Sequence, residues 1–238
     1  MICVGLSHIS LLNEKQFGKY IRLIEVSKFI KMFPIKRIVI FTLLSICVMT
    51  TKAKQSYIFL APGVEEIEAM ATIDALRRAE IPVVAVAVDT TLQIKGATGQ
   101  TIVADSLISD IDISAADWLI VPGGVPGAPN LHASKRVSEM LLAHYRKGGR
   151  IASICAGPAV VLAPLGILEG KKATCYPGLG GQINSGGGEY VEEKVVVAPN
   201  LITSEGPGTT LPFAIEIIRQ TKGDETAKDI AASMIVSL

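Results

Sequence analysis

"GGRIASICAGPAVVLAPLGIL" (residues 148–168) leads from a glycine pair through a short apolar run to one thiol, Cys155, then through small residues into a second apolar run. By pattern this is a buried strand, a tight turn and a helix. A thiol at such a junction is presented at the edge of a sheet. The same unit recurs along the chain. "QSYIFLAPG" (55–63) is a buried strand ended by Pro-Gly, and "EEIEAMATIDALRRAE" (65–80) follows with Ile67, Met70, Ile73 and Leu76 at helical spacing. Its first turn is acidic and its last basic, as the helix dipole prefers.

Further units follow. "IPVVAVAVD" (81–89) reads as a buried strand and "LQIKGATGQTIVAD" (92–105) as a small hairpin. "DWLIVPGG" (117–124) is a strand with a Gly-rich turn, and "SKRVSEMLLAHYRKGG" (134–149) is a helix with Ser134 as N-cap and Gly148 as its stop. "KKATCYPG" (171–178) and "NLITSEGPGTTLPFAIEIIRQTKG" (200–223) repeat the strand-to-turn theme, the second with another helix. Strands alternating with helices predict βαβ units and a mostly parallel sheet covered on both faces. Ligands in such sheets sit at the carboxyl ends of the strands, where this chain places its glycine-rich turns.

Composition narrows the function classes. Lys and Arg total 23 against 22 Asp and Glu, with no basic stripe, so electrostatic binding of nucleic acid is not expected. Four cysteines and three histidines form no CxxC or Cys/His spacing, so neither a zinc site nor a disulfide scaffold is expected. No metal and no cofactor is expected. "TSEGPGT" (203–209) enters a helix but lacks the spacing of a phosphate loop, and is read as a tight turn with helix capping.

Residues 1–53 read as an extension to a domain covering residues 54–238. "MFPIKRIVIFTLLSICVMTTKA" (32–53) has Lys36 and Arg37, an apolar stretch and Thr-Lys-Ala, the layout of a secretory signal starting at Met32. Its apolar run is too short for a membrane span. The other reading is translation from Met49, with a cytoplasmic product, and this is the expectation adopted.

Two readings of Cys155 stand side by side: a small buried residue filling a gap, or a nucleophile on an elbow like G-x-S-x-G, with Ser153 where the first glycine would be. In the second reading the helix dipole lowers the thiol pKa below the ordinary value of about 8.5. The amides of Ala156 and Gly124 would form an oxyanion hole. Glu65, Glu66 and Glu68 open the first helix. Two of them fit a solvated first turn. Glu68 differs in phase and is expected to be desolvated, with a raised pKa, donating to the thiolate and shuttling protons.

The pieces "GVEEIEA", "LRRA", "VPGGVPGAPNL", "SICAGPAVVLA", "KATCYPG" and "TSEGPGT", in this order, resemble the ThiJ/PfpI superfamily in its DJ-one branch. They span nearly all of the chain beyond residue 54. The resemblance implies a flavodoxin-like, doubly wound α/β fold and a homodimer. It implies Cys155 as elbow nucleophile, Glu68 as its paired carboxyl, and Gly124 and Ala156 as backbone donors. Gly123, Val125 and Tyr176 are then expected around a substrate pocket. Ala156 stands where some members carry a histidine, so a Cys-His dyad of that kind is absent. Tyr176 replaces a histidine and Val125 an asparagine of the branch. Tyr176 is either a hydroxyl donor or an aromatic packed at a strand end. Cys175 is either a resolving thiol or simply buried. The function expected is a cofactor-independent cysteine enzyme acting on reactive carbonyls, of glyoxalase or protein deglycase type. The alternatives are a redox-sensing or stress-protective chaperone using an oxidisable Cys155, and a PfpI-type cysteine peptidase.

Overall fold

The computed structural model describes residues 54–237; the expectations for residues 1–53 lie outside them. Strand β1 (Ser56–Leu60) is buried along its whole length, as its unbroken apolar run requires of a central parallel strand. Helix α1 (Glu66–Arg78) follows, then β2 (Val83–Ala87). The expected hairpin forms from β3 (Gln93–Lys95) and β4 (Thr101–Val103), paired antiparallel. Short β5 (Ser106–Leu107) precedes β6 (Trp118–Val121). After β6 come α2 (Gly127–Ala133), α3 (Lys135–Arg146) and β7 (Arg150–Ile154). Ser134 caps α3 by accepting from the Val137 amide, and Gly148 turns the chain at φ +76° behind the helix end.

β1, β2, β5, β6 and β7 join β10 (Val195–Ala198) and β11 (Leu201–Ser204) in one seven-stranded sheet, in the order β10-β11-β7-β6-β1-β2-β5. Only the β10–β11 pairing is antiparallel. Short helix α4 (Gly180–Ser185) lies between β7 and β10 in the chain, and helices α5 (Thr210–Lys222) and α6 (Asp224–Ser233) complete it, α5 packing against α1 and α6. The architecture is the doubly wound, flavodoxin-like one. The chain leaves β1 toward β2 on one side and returns through β6 on the other, so the topological switch lies between β1 and β6. Among the described residues no helix is long and apolar enough to cross a membrane.

Three local expectations need correction. Ile67 and Met70 do not belong to the buried stripe of α1; they are 56% and 46% exposed, and the buried face is Glu68, Ala69, Thr72, Ile73, Ala75 and Leu76. Small alanines let the helix close on the sheet, and a tether on Glu68 described below fixes its phase. The segment after Cys155 is no regular α-helix. It is one π-helical stretch, Pro158–Leu162, running into a 3-10 turn, Ala163–Leu165. Pro164 has no N–H to donate to the carbonyl four residues back, so an α-helix cannot run through it. "KKATCYPG" supplies only β8 (Lys172–Ala173), which pairs with β9 (Glu189–Tyr190) outside the main sheet.

Candidate active site

The carboxyl ends of β1, β6 and β7 deliver three segments to one place: the start of α1, the Pro122-Gly123-Gly124 turn and the elbow at Cys155. Cys155 sits at φ +63°, a left-handed conformation uncommon for a non-glycine residue. Two bonds hold it there. Its N–H donates to Ser204 O at 2.9 Å, and its carbonyl accepts from the Tyr176 amide at 2.8 Å. The turn after β6 comes very close: a Cβ on Gly123 would stand 2.7 Å from Cys155 Cβ and 2.9 Å from Sγ, so only glycine fits. Gly124, at φ +96°, lies against the β1–α1 loop, where a Cβ would meet Gly63 O at 2.3 Å.

Glu68 is fully buried, as its helical phase predicts. Its Oε2 accepts the Gly123 amide at 2.7 Å. Its two acidic neighbours are not the solvated first turn expected. Glu65 is the N-cap, and its Oε2 accepts the Glu68 amide at 2.7 Å. Glu66 reaches across to the β3–β4 hairpin, where its Oε1 accepts from Thr98 N (2.9 Å), Thr98 Oγ1 (2.8 Å) and Gln100 N (3.4 Å). One acidic run therefore serves three separate purposes, which residue type alone does not distinguish.

Burial pushes the Glu68 carboxyl up to about 7, against the Gly123 amide and the Cys155 thiol, which pull it down, and with the Glu65 charge, which adds to the rise. The thiol is pushed up to about 12, first by burial and then by the Glu68 charge and contact, while the Gly124 and Ala156 amides work to lower it. This reverses the direction expected from a helix end. The single π turn after Cys155 provides little dipole, and two amides do not offset burial beside a carboxylate. The two groups form one unit that readily holds a single negative charge and resists a second. No hydrogen bond of good geometry closes between them. Glu68 Oε1 is buried without a partner, the position left for a proton or for an oxygen of a bound group.

Around this pair the other expected residues separate. Gly123 serves the carboxyl, while the Gly124 and Ala156 amides act on the sulfur. Tyr176 is half exposed rather than packed, and its ring flanks Gly206: a Cβ there would lie 3.3 Å from Tyr176 Cδ2 and 4.0 Å from Cys155 Sγ. Val125 is 75% exposed. Cys175 is buried and free of disulfide, its thiol pushed up by burial to about 11. The "TSEGPGT" turn makes the expected cap, with the Gly206 amide donating to Thr209 Oγ1 at 3.1 Å. Its second role, walling the thiol, was missed. The available signal was that its strand, β11, would lie beside β7 and end level with Cys155.

Comparison with known proteins gives a consistent picture. The sequence profile described as "DJ-1/PfpI family" matches residues 54–220. "Protein DJ-1 homolog A" of Arabidopsis thaliana is 36% identical over 188 residues, covering 79% of this chain and 48% of that protein. The chain thus spans about half the length of that plant relative. "Glutathione-independent glyoxalase DJR-1.2" of Caenorhabditis elegans is 36% identical over 178 residues, covering 74% of this chain and 94% of that protein. Among solved structures, oxidised Toxoplasma gondii DJ-1 aligns with a TM-score of 0.75 at 37% identity, covering 78% of this chain and 100% of that one.

Proposed function

The chain belongs to the DJ-1/PfpI family, and from that premise we propose that it is a cysteine-dependent, cofactor-independent enzyme acting on reactive carbonyls, with methylglyoxal-like 2-oxoaldehydes as substrates. The observation that carries this reading is the pairing of Cys155, faced by two backbone amides, with a fully buried carboxyl raised to about 7. Such a carboxyl exchanges protons near neutrality in both directions, as a proton carrier between two carbons must. The relative named as a glutathione-independent glyoxalase supports it.

The Cys155 sulfur adds to the aldehyde carbon, and the thiol proton passes by way of Glu68 to the new alkoxide, giving a hemithioacetal. The Gly124 and Ala156 amides stabilise the negative charge as it moves from sulfur to oxygen. Glu68 then removes the proton from the former aldehyde carbon. The resulting enediolate takes that proton back from Glu68 on the adjacent carbon, and the proton on the first oxygen passes to the second. The thioester of a 2-hydroxy acid remains, and water cleaves it to the free acid and the thiol. Deglycation of glycated amines would begin with the same addition. Methylglyoxal consumption without glutathione is expected in the parent, abolished in Cys155→Ser and reduced about 10²–10⁴-fold in Glu68→Gln. Turnover by Cys155→Ser at the parent rate would sink the reading.

A second reading, oxidation of Cys155 by peroxide to a sulfinate as a redox sensor, is favoured by the partnerless Glu68 Oε1, which suits a protonated carboxyl donating to a sulfinate oxygen. The raised thiol does not separate the two readings, because addition and oxidation both draw on the thiolate. The peptidase reading has less support. His144 bonds to Arg150 O at the far end of β7, about 15 Å of strand from Cys155. His132 is exposed at the end of α2. Association as a homodimer belongs to the same proposal, with the exposed Ile67 and Met70 one turn apart on α1 as its motive.

A further inference from the structure

Glu65 lies in the acidic run but outside the chemistry described so far. Three hydrogen bonds close a ring through it. The Glu65 amide donates to Gly123 O at 3.2 Å, the Gly123 amide donates to Glu68 Oε2 at 2.7 Å, and the Glu68 amide donates to Glu65 Oε2 at 2.7 Å. The ring joins the first turn of α1 to the turn after β6. It is tight: a Cβ on Gly124 would stand 2.5 Å from Glu65 N. Rotating α1 about its axis, or sliding it along the sheet, would break at least one of the three bonds. This ring gives the helix the phase that buries Glu68 and leaves Ile67 exposed.

We propose that Glu65 is a positioning residue, which aims the Glu68 carboxyl at the thiol through this ring and keeps a negative charge beside it. The proposal rests on the reading of Glu68 as the proton carrier. Capping alone would be served by Ser, Asn or Asp, the residues preferred at that position. A glutamate adds a charge on a longer arm. The groups facing the Glu68 carboxyl are Glu65 on its own helix, Cys155 from the elbow after β7, and the Gly123 amide from the turn after β6. Of the two ionisable neighbours, only Glu65 can be altered without touching the nucleophile. Its charge disfavours a second carboxylate nearby, so it keeps Glu68 protonated to higher pH.

Two substitutions separate holding from charge. Glu65→Gln retains a carbonyl acceptor for the Glu68 amide and removes the charge. Glu65→Ala removes both. The readouts are the carboxyl titration of Glu68, followed by carbon-13 NMR of the full chain and assigned against Glu68→Gln, and the acid limb of kcat/KM for methylglyoxal. In Glu65→Gln the Glu68 midpoint is expected to fall by about half to one pH unit, as charges one helical turn apart predict. The acid limb should move with it, at the parent melting temperature. Glu65→Ala should show the same direction of shift and melt lower. A Glu68 midpoint in Glu65→Gln equal to the parent's would overturn the proposal and leave Glu65 a cap only. If the parent consumes no methylglyoxal, the functional reading fails while the NMR midpoint still decides the role of Glu65.

Discussion

Glu68 and Cys155 are each costly to ionise where they stand, and together they are cheaper to ionise once than twice. That coupling decides where the first charge of the pair resides. Removal of one proton from the pair near neutrality leaves a charge that either oxygen or sulfur can carry. Two amides favour it on the sulfur and one favours it on the carboxyl. Thiolate absorbance in the parent, with Cys175 replaced by serine, is therefore expected to rise in two steps, a partial one near 7 and the remainder toward 12. Glu68→Gln should collapse these into one step between the two, since no second charge is left to repel. A single high step in the parent, with nothing near neutrality, would mean that the sulfur never carries the shared charge. Both groups have folded pKa values above their ordinary ones, so each contributes stability that is lost as pH rises, Glu68 up to about 7 and Cys155 up to about 12. The pair is thus held at some expense to the fold at neutral and alkaline pH.

At the scale of elements, the β3–β4 hairpin owes its place to a helix it does not belong to. Glu66 on α1 accepts three hydrogen bonds from the hairpin tip, and backbone bonds from Gly63 N to Lys95 O (2.7 Å) and from Ala97 N to Val64 O (2.8 Å) complete the seam. Burial works to raise the Glu66 carboxyl, but the Thr98 and Gln100 donors outweigh it and hold it below the ordinary carboxylate range. A lowered carboxyl contributes stability above its unfolded pKa of about 4.5 and loses it as pH falls through the lower folded value. Glu66→Ala is expected to lower the protection factors of the Thr98 and Gln100 amides at least tenfold at pH 7, and acidification of the parent through the lowered range of the Glu66 carboxyl should lower them likewise. Equal protection in parent and variant would show that the backbone seam alone holds the hairpin. Glycine at position 96 leaves room for the Glu66 carboxylate against the hairpin.

For the whole molecule, the exposed pair on α1 is the feature by which the proposed dimer is tested. Ile67 and Met70 stand one turn apart on the outer face of a helix whose inner face is already committed to the sheet and α5. Covering two such side chains in a dimer recovers a few kcal/mol, at about 25 cal/mol for each Å² removed from water. Light scattering at micromolar concentration is expected to give twice the mass of the chain. Ile67→Lys with Met70→Lys should shift the protein toward monomer while the far-ultraviolet spectrum stays unchanged. A parent of monomer mass would remove the dimer from the proposal.

What the sequence determined by itself was whatever depends on local pattern. The short, mostly apolar runs within 55–63, 81–89, 117–124 and 148–155 pointed to buried parallel strands, and those strands form. Ser134 and Gly148 marked the ends of α3, and "SICAG" marked a tight turn presenting a thiol. Tertiary structure decided what depends on neighbours distant in the chain. The apolar spacing of α1 allowed more than one buried face, and the bond from Gly123, 55 residues away, selected the one carrying Glu68. The fates of Glu65 and Glu66 were decided in the same way, by a backbone ring and a hairpin that no helical period encodes. The acidity of Cys155 turned on desolvation and on a carboxyl from another element. Both act through space and grow as water is excluded, so they exist only once the sheet has brought the ends of β1, β6 and β7 together.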